Sequence, residues 1–350
     1  MNPIRVIVVD DSAFMRKMVT DILESDNRIQ VIATARNGEE CLLKVKKLHP
    51  DVVTLDVEMP KMDGISTLAT IMNTNPLPVV MLSSVTSEGA AKTLQAISNG
   101  AVDFITKPSG SISLDINTIK DEIIQKVLAA SQAQLTKTEH VKQEPNLQHV
   151  TGLHKKSMIV IGSSTGGPRA LQSVLTNLPE DFITPILIAQ HMPKGFTKSL
   201  ADRLNLLSNV HVKEAMHGEI IKDKTAYIAP GGYHMKIRNV GIANAIELID
   251  DSLGYLHKPS VDFLIESLAQ INKVNKIAVI LTGMGSDGSE GIKYLKEQDP
   301  SSLIVAESEE SSIVYGMPKS AIKTNVVNYI LHIQQIGQMV HTITKRLGGR

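Results

Sequence analysis

The chain has 350 residues, 42% hydrophobic and 21% charged, a globular composition long enough for about two domains, each with its own core. Lysine plus arginine equals aspartate plus glutamate at 36 each, so the formal net charge is zero and the basic excess of a nucleic-acid binder is absent. One cysteine excludes an internal disulfide framework, no apolar run approaches the ~18 residues of a bilayer span, and the N-terminus lacks a signal-peptide block, so a cytoplasmic protein without membrane insertion is expected.

Ile4-Arg5-Val6-Ile7-Val8-Val9 is a nearly continuous apolar run, the pattern of a parallel strand covered on both faces, and it ends on Asp10-Asp11. Carboxylates at that end lie where open α/β sheets bind ligands. Ser12 to Glu24 reads as a helix, Ile29 to Ala35 as a second strand, and Gly38 to Leu48 as a helix in which Cys41 is buried filler rather than a reactive thiol. A third strand, Asp51 to Asp56, again finishes on an acid, followed by the loop Glu58-Met59-Pro60 to Gly64 and a helix from Ile65 to Asn73. Taken alone, Asp56 reads equally as a helix cap or a ligand. Three acids on two strand ends would repel one another unless a hard cation neutralised them, and oxygen-only ligation suits Mg²⁺. The fourth strand, Pro78 to Ser84, ends in hydroxyls. The fifth, Ala101 to Thr106, leads to Lys107-Pro108, a cation before a proline of the kind that can take a cis peptide. In isolation Lys107 reads as a solvated surface lysine.

Together these residues resemble the receiver domain of two-component response regulators, over residues 1 to 125. The resemblance rests on the paired acids after strand one, Asp56 followed by Met59-Pro60-x-x-Asp63-Gly64, a hydroxyl after strand four and Lys107-Pro108 after strand five. It implies a flavodoxin-like fold around a parallel five-stranded sheet, with Asp56 accepting phosphate as an acyl phosphate. Mg²⁺ would be held by Asp10, Asp11, Asp56 and the Glu58 carbonyl, and Ser83 and Lys107 would contact the phosphoryl group. Phe104 stands at the switch-aromatic position, where many receivers carry Tyr, so only its ring packing can report the switch.

Ile116 to Ala130 reads as the fifth receiver helix, after which the pattern dissolves; the resemblance puts the domain boundary at about 125 and a linker at 126–156. From Gln132 to Lys156 the chain is polar, aperiodic and carries Pro145, a linker composition. Its His140, His149 and His154 match no metal-ligand spacing. Met158 to Ile161 then reads as a short buried strand, Gly162-Ser163-Ser164-Thr165-Gly166-Gly167 as a tight turn, and Pro168 as the first helical position. Gly162-x-Ser164-x-Gly166 fits the nucleophile elbow, in which small flanking residues expose a serine hydroxyl. A plain strand-turn-helix and a phosphate-cradling loop fit the glycines as well; the dinucleotide fingerprint wants glycine where Ser164 stands.

The buried run Ile183 to Gln190 ends in His191, which would lie beside Ser164 if the two strands are neighbours. His211, His217, His257, His332 and His341 have no such context. A further strand, Lys276 to Thr282, opens into Gly283-Met284-Gly285-Ser286-Asp287-Gly288. Asp287 reads as a turn residue or as a carboxylate reaching back to His191. In the second case His191 would take the Ser164 proton, Asp287 would orient the imidazole, and backbone amides near Thr165 and Met284 would form an oxyanion hole. The order Ser, His, Asp differs from that of α/β-hydrolases.

Residues 157 to 350 resemble the catalytic domain of the chemotaxis protein-glutamate methylesterases, which are also protein-glutamine deamidases. The resemblance rests on the Ser164 turn, Gln190-His191-Met192-Pro193-Lys194-Gly195-Phe196-Thr197, Ala229-Pro230-Gly231-Gly232-Tyr233-His234, Pro259-Ser260-Val261-Asp262, Leu281 to Gly288 and Tyr315-Gly316-Met317-Pro318. Ser163 stands where that family often has Ala, which invites misassignment of the nucleophile by one residue. The resemblance implies a doubly wound α/β catalytic domain that demethylates glutamate γ-methyl esters and deamidates glutamines on methyl-accepting chemotaxis receptors, giving sensory adaptation, with no cofactor for the ester chemistry. A chemotaxis histidine kinase would phosphorylate Asp56, relieving a receiver that covers the active-site cleft of a monomeric enzyme. The alternatives from other classes are an output domain that only binds a partner and one that binds a nucleotide on the glycine turn. Whether Tyr233, His234 and Met235 touch substrate or support the cleft is open at this level.

Overall fold

The computed structural model describes residues 2–84, 86–107, 116–133, 156–251 and 254–348. The chain forms two compact units, Met1–Thr136 and Lys137–Arg350. In the first, strands and helices alternate: β1 (Ile4–Val9), α1 (Ala13–Glu24), β2 (Ile29–Ala35), α2 (Gly38–Leu48), β3 (Val52–Asp56), α3 (Gly64–Thr74), β4 (Val79–Ser83), α4 (Ser87–Ser98), β5 (Asp103–Thr106) and α5 (Ile116–Ser131). The five strands form a parallel sheet in the order β2-β1-β3-β4-β5. The strand order reverses at β1, so the crevice at the carboxyl ends of β1 and β3 is where such a sheet binds its ligand. Helix starts follow from local chemistry: Ser12, Asn37 and Asp63 cap α1, α2 and α3 by accepting backbone amides. Cys41 is fully buried, and burial pushes its thiol up to about 12, as an inert packing residue requires.

The helix α4 has no counterpart in the sequence reading. Its first turn, Ser87-Glu88-Gly89, is polar and glycine-containing, and Ala90, Leu94, Ala96 and Ile97 become a buried face only against the sheet. Helix α5, read from the sequence over Ile116 to Ala130, runs to Ser131 with Val127 and Ala130 fully buried, and so extends past the domain boundary expected at 125. Pro108 and residues 134–155, with Pro145 and His140, His149 and His154, lie outside the described residues.

The second unit contains β6 (Ser157–Ser163), α6 (Gly167–Thr176), β7 (Ile186–Gln190), α7 (Phe196–Leu207), β8 (His211–Glu214), β9 (Thr225–Ile228), β10 (His234–Val240), β11 (Ala243–Ile249) and α8 (Val261–Ala269). Then come β12 (Asn275–Ile280), α9 (Ser289–Gln298), β13 (Leu303–Glu307), α10 (Met317–Lys323), β14 (Tyr329–Leu331) and α11 (Ile333–Gly348). Seven strands form a parallel sheet in the order β14-β13-β12-β6-β7-β9-β8. Val160, Leu187 and Ala278 pack on one face with Val261, Leu264 and Leu268 of α8, while the intervening Ile159, Ile161, Ile188 and Val279 are equally buried on the other. That two-sided burial explains why these strands read as unbroken apolar runs. The β10–β11 hairpin is antiparallel and separate from the main sheet, and it inserts Met235, Ile237 and Ile246 into the same core. Among the described residues no helix is long and apolar enough to cross a membrane.

Candidate active site and acidic receiver site

The second unit's candidate site lies at the carboxyl ends of its three central strands. β6 is flanked by β7 on one side and β12 on the other. The β6–β7 ladder ends at Ser163↔Gln190, so Ser164 and His191 are the next residues on neighbouring strands, with the His191 amide donating to Ser163 O at 3.1 Å. On the other side the Ser164 amide donates to Thr282 O at 3.0 Å, beyond the end of β12. Gly166, at φ +77°, turns the chain into α6, and Pro168 sits in the helix's first turn. Ser163 is fully buried and donates to Gln190 Oε1 at 2.6 Å, whereas Ser164 is partly exposed. The side chain available to a substrate is therefore that of Ser164.

His191 Nε2 lies 2.8 Å from Asp287 Oδ2. Its Nδ1 is buried without a hydrogen-bond partner. With Nε2–H donated to the carboxylate, the lone pair rests on Nδ1. Asp287 is fixed from the far side by the start of α8: it accepts the Val261 and Asp262 amides, both at 2.8 Å, and the Ser260 hydroxyl at 3.1 Å. A carboxylate at a helix N-terminus meets unpaired amides and the positive end of the helix dipole. Burial opposes its charge, but the His191 bond and charge and these amides outweigh burial and hold the Asp287 carboxyl well below its usual range.

Sequence reasoning passed over His257. Its ring stacks on that of His191, with centroids 4.2 Å apart and planes 30° apart. Its outer edge is exposed, yet partial burial and then the neighbouring His191 push it down to about 4, so it is neutral at ordinary pH. The available signal was position: His257 stands three residues before Ser260, the residue that caps α8 and binds Asp287. His234 and Met235 are both fully buried, His234 against Tyr255 and Phe263 and Met235 in the core, whereas Tyr233 is partly exposed. Thr165 is buried and Met284 partly exposed, on the two loops that border Ser164.

In the first unit, Asp10, Asp11 and Asp56 bring carboxylate oxygens within 4.8 Å of one another. Lys107 Nζ stands 2.8 Å from Asp10 Oδ2 and 2.7 Å from Asp56 Oδ2, a role far from that of a solvated lysine. Burial raises Asp56 to about 6 against the opposing pull of Lys107, with Asp10 adding to the rise. An all-oxygen set of this kind, with one exposed member in Asp11, fits a hard divalent cation. The Glu58 side chain is not part of it and pairs with Lys92 at 2.8 Å. Ser83 is fully buried, donating to Ser84 O and Gly89 O and accepting from Thr93 Oγ1 at 2.6 Å, so it is tied to α4. Phe104 is buried beneath Lys126 of α5, whose Nζ lies 4.9 Å from the ring centroid.

Comparison with known proteins agrees with this two-unit arrangement. Residues 159–340 match the family model described as CheB methylesterase, and residues 6–117 match that of the response regulator receiver domain. Relatives named protein-glutamate methylesterase/protein-glutamine glutaminase include one from Oceanobacillus iheyensis, 53% identical over 348 residues and covering 97% of this chain and 99% of that protein. Another, from Bacillus subtilis, is 46% identical over 354 residues, covering 98% and 99%. The crystal structure of the Thermotoga maritima CheB methylesterase catalytic domain is 41% identical, with a TM-score of 0.52, and covers 54% of this chain and 98% of its own. Since similarity runs through both units and nearly the whole length, the chain belongs to the CheB methylesterase family, with a response regulator receiver domain ahead of the methylesterase domain.

Proposed function

We propose that this chain is a phosphorylation-activated hydrolase that removes γ-methyl esters from glutamates of methyl-accepting chemotaxis receptors and deamidates receptor glutamines. The observation that carries the reading is the Asp287–His191 pair, with a buried, unpartnered His191 Nδ1 at the strand end next to Ser164. His191 Nδ1 takes the proton of Ser164 as its Oγ attacks the γ-acyl carbon, and Asp287 stabilises the imidazolium that forms. Amides near Thr165 and Met284 stabilise the tetrahedral oxyanion, where a single donor is worth on the order of 3 kcal/mol. Collapse breaks the bond to the leaving group, which takes the proton from His191 and departs as methanol from an ester or ammonia from an amide. Water, giving its proton to His191, then attacks the acyl-serine. Ser164 takes that proton back from His191 as its bond to the acyl carbon breaks, and the released γ-carboxylic acid gives its own proton to solvent to become the glutamate carboxylate. Ester and amide pass through the same acyl-enzyme, so one site serves both.

Asp56 accepts the phosphoryl group from a chemotaxis histidine kinase. Asp10, Asp11, Asp56 and the Glu58 carbonyl would hold Mg²⁺, whose charge would offset that of the phosphoryl oxygens. Lys107, already paired with Asp56, and Ser83 would contact the phosphoryl group. Taking Ser83 there would release α4, and Phe104 would report the change by packing alone.

The test is methanol release from methylated receptor membranes by wild type and Ser164→Ala, each with and without a small-molecule phosphodonor and Mg²⁺. Turnover should fall by roughly 10³-fold or more in the variant, with stimulation by the phosphodonor only in the wild type. Equal release by the two proteins would remove Ser164 from the chemistry.

A further inference from the structure

Glu307 is a carboxylic acid in the interior of the catalytic domain that the mechanism above leaves without a role. It lies at the carboxyl end of β13 and is 1% exposed. The β12–β13 ladder stops at Ile280↔Ala306. Beyond that point the buried Thr282 amide donates to the Glu307 side chain, whose Oε2 accepts at 2.7 Å. The other oxygen, Oε1, accepts from the Ser311 hydroxyl at 3.0 Å, and Ser311 Oγ is itself held by the Ile333 amide at the start of α11. Burial raises the Glu307 carboxyl to about 7 against these two bonds.

Thr282 touches the nucleophile turn by two routes. Its carbonyl accepts the Ser164 amide at 3.0 Å, and its hydroxyl donates to Thr165 O at 3.0 Å while accepting the Val314 amide at 2.9 Å. The residue after it, Gly283, begins the loop that carries Met284 and Asp287. Thr282 is thus shared by the serine turn and the loop opposite it, and Glu307 binds its N–H while its carbonyl, in the next peptide, binds Ser164.

We propose that Glu307 is a positioning residue of the esterase site, which fixes Thr282 by its N–H and, through the Thr282 carbonyl and hydroxyl, the placement of Ser164 and Thr165. The proposal rests on Ser164 being the nucleophile. It requires an acceptor at the end of this side chain; a negative charge is not needed. A displaced Ser164 turn lowers the rate of acyl transfer without weakening receptor binding, so the effect belongs in kcat rather than KM.

The test compares Glu307→Gln, Glu307→Asp and Glu307→Leu in the full chain, beside wild type and Ser164→Ala, by kcat and KM for methanol release from methylated receptor membranes and by thermal melting. Gln keeps an oxygen for the Thr282 amide and can turn its NH₂ to Ser311, and its kcat should stay within about threefold of wild type. Asp withdraws the acceptor by one methylene and should lose roughly tenfold in kcat; Leu removes the acceptor and should lose roughly 100-fold, both with KM unchanged. Asp decides the matter if Leu does not fold. Wild-type kcat in folded Asp or Leu variants would overturn the proposal, as would a Gln variant as impaired as Leu. Loss of the folded state in all three would overturn it too, by making Glu307 a residue of the fold. Failure of the reading beneath it shows up separately, as an inactive wild type or an active Ser164→Ala, and takes the proposal with it.

Discussion

Asp287 accepts the Val261 and Asp262 amides and the Ser260 hydroxyl and pairs with His191 Nε2, surroundings that favour its ionised carboxylate. Asp287→Asn would turn an NH₂ toward one of these donors and favour the wrong imidazole tautomer. The expected result is a fall in kcat of roughly 10- to 1,000-fold with KM little changed, read by methanol release. A kcat within twofold of wild type would mean that Asp287 serves α8 and not His191. Glu307 carries a different prediction, about stability. Its carboxyl stands at about 7 when folded against an ordinary value of 4.5, so the folded state binds the proton more tightly than the unfolded chain. Its contribution is therefore fully present below about pH 4.5 and lost as pH rises through 7, by on the order of 3 kcal/mol at most. Between about pH 5 and 8 the wild-type melting temperature should fall relative to that of Glu307→Gln, and parallel curves would refute the shift.

The three elements that matter most for the site are the β6–α6 turn, the loop after β12 and the start of α8. They meet closely enough that side-chain size is restricted. A Cβ on Gly283 would collide with Met317 Sδ and come within 2.8 Å of Ser164 Cβ. Gly283→Ala should therefore cost about 1–3 kcal/mol of stability, read by denaturant unfolding, and lower kcat as Ser164 is pushed aside. An unchanged kcat would show that this loop gives way without moving the serine. Ser12, Asn37 and Asp63 satisfy local amides at the starts of α1, α2 and α3, within one residue of where the sequence places those starts. Helix α4 was not read although Thr86 caps it by accepting the Gly89 amide at 3.0 Å; its apolar face is completed only against β4, β5 and α3.

For the whole molecule, the acidic crevice and the serine site belong to different units of one chain. Gating between them predicts that Asp56→Asn keeps basal methanol release while its ratio of release with and without phosphodonor falls to about one. Persistent stimulation in that variant would sink the gate and leave the esterase assignment intact.

What the sequence by itself determined was the existence of the buried parallel strands, and that Asp10, Asp56, Ser164 and His191 stand at their carboxyl ends. Strands covered on both faces are predominantly apolar, so the turn to polar residues marks the neighbourhood of the strand end and hence the functional edge. The motifs carried the family, and with it the roles expected of these residues. Only the tertiary structure decided that β6 lies between β7 and β12, that His191 offers Nε2 to Asp287 and leaves Nδ1 bare, and that His257 stacks on that ring. It alone brought Glu307 to the Thr282 amide. Backbone ladders are chemically alike from strand to strand, so strand order is not written in any local pattern. Contacts between residues far apart in the chain arise only once that order has been set.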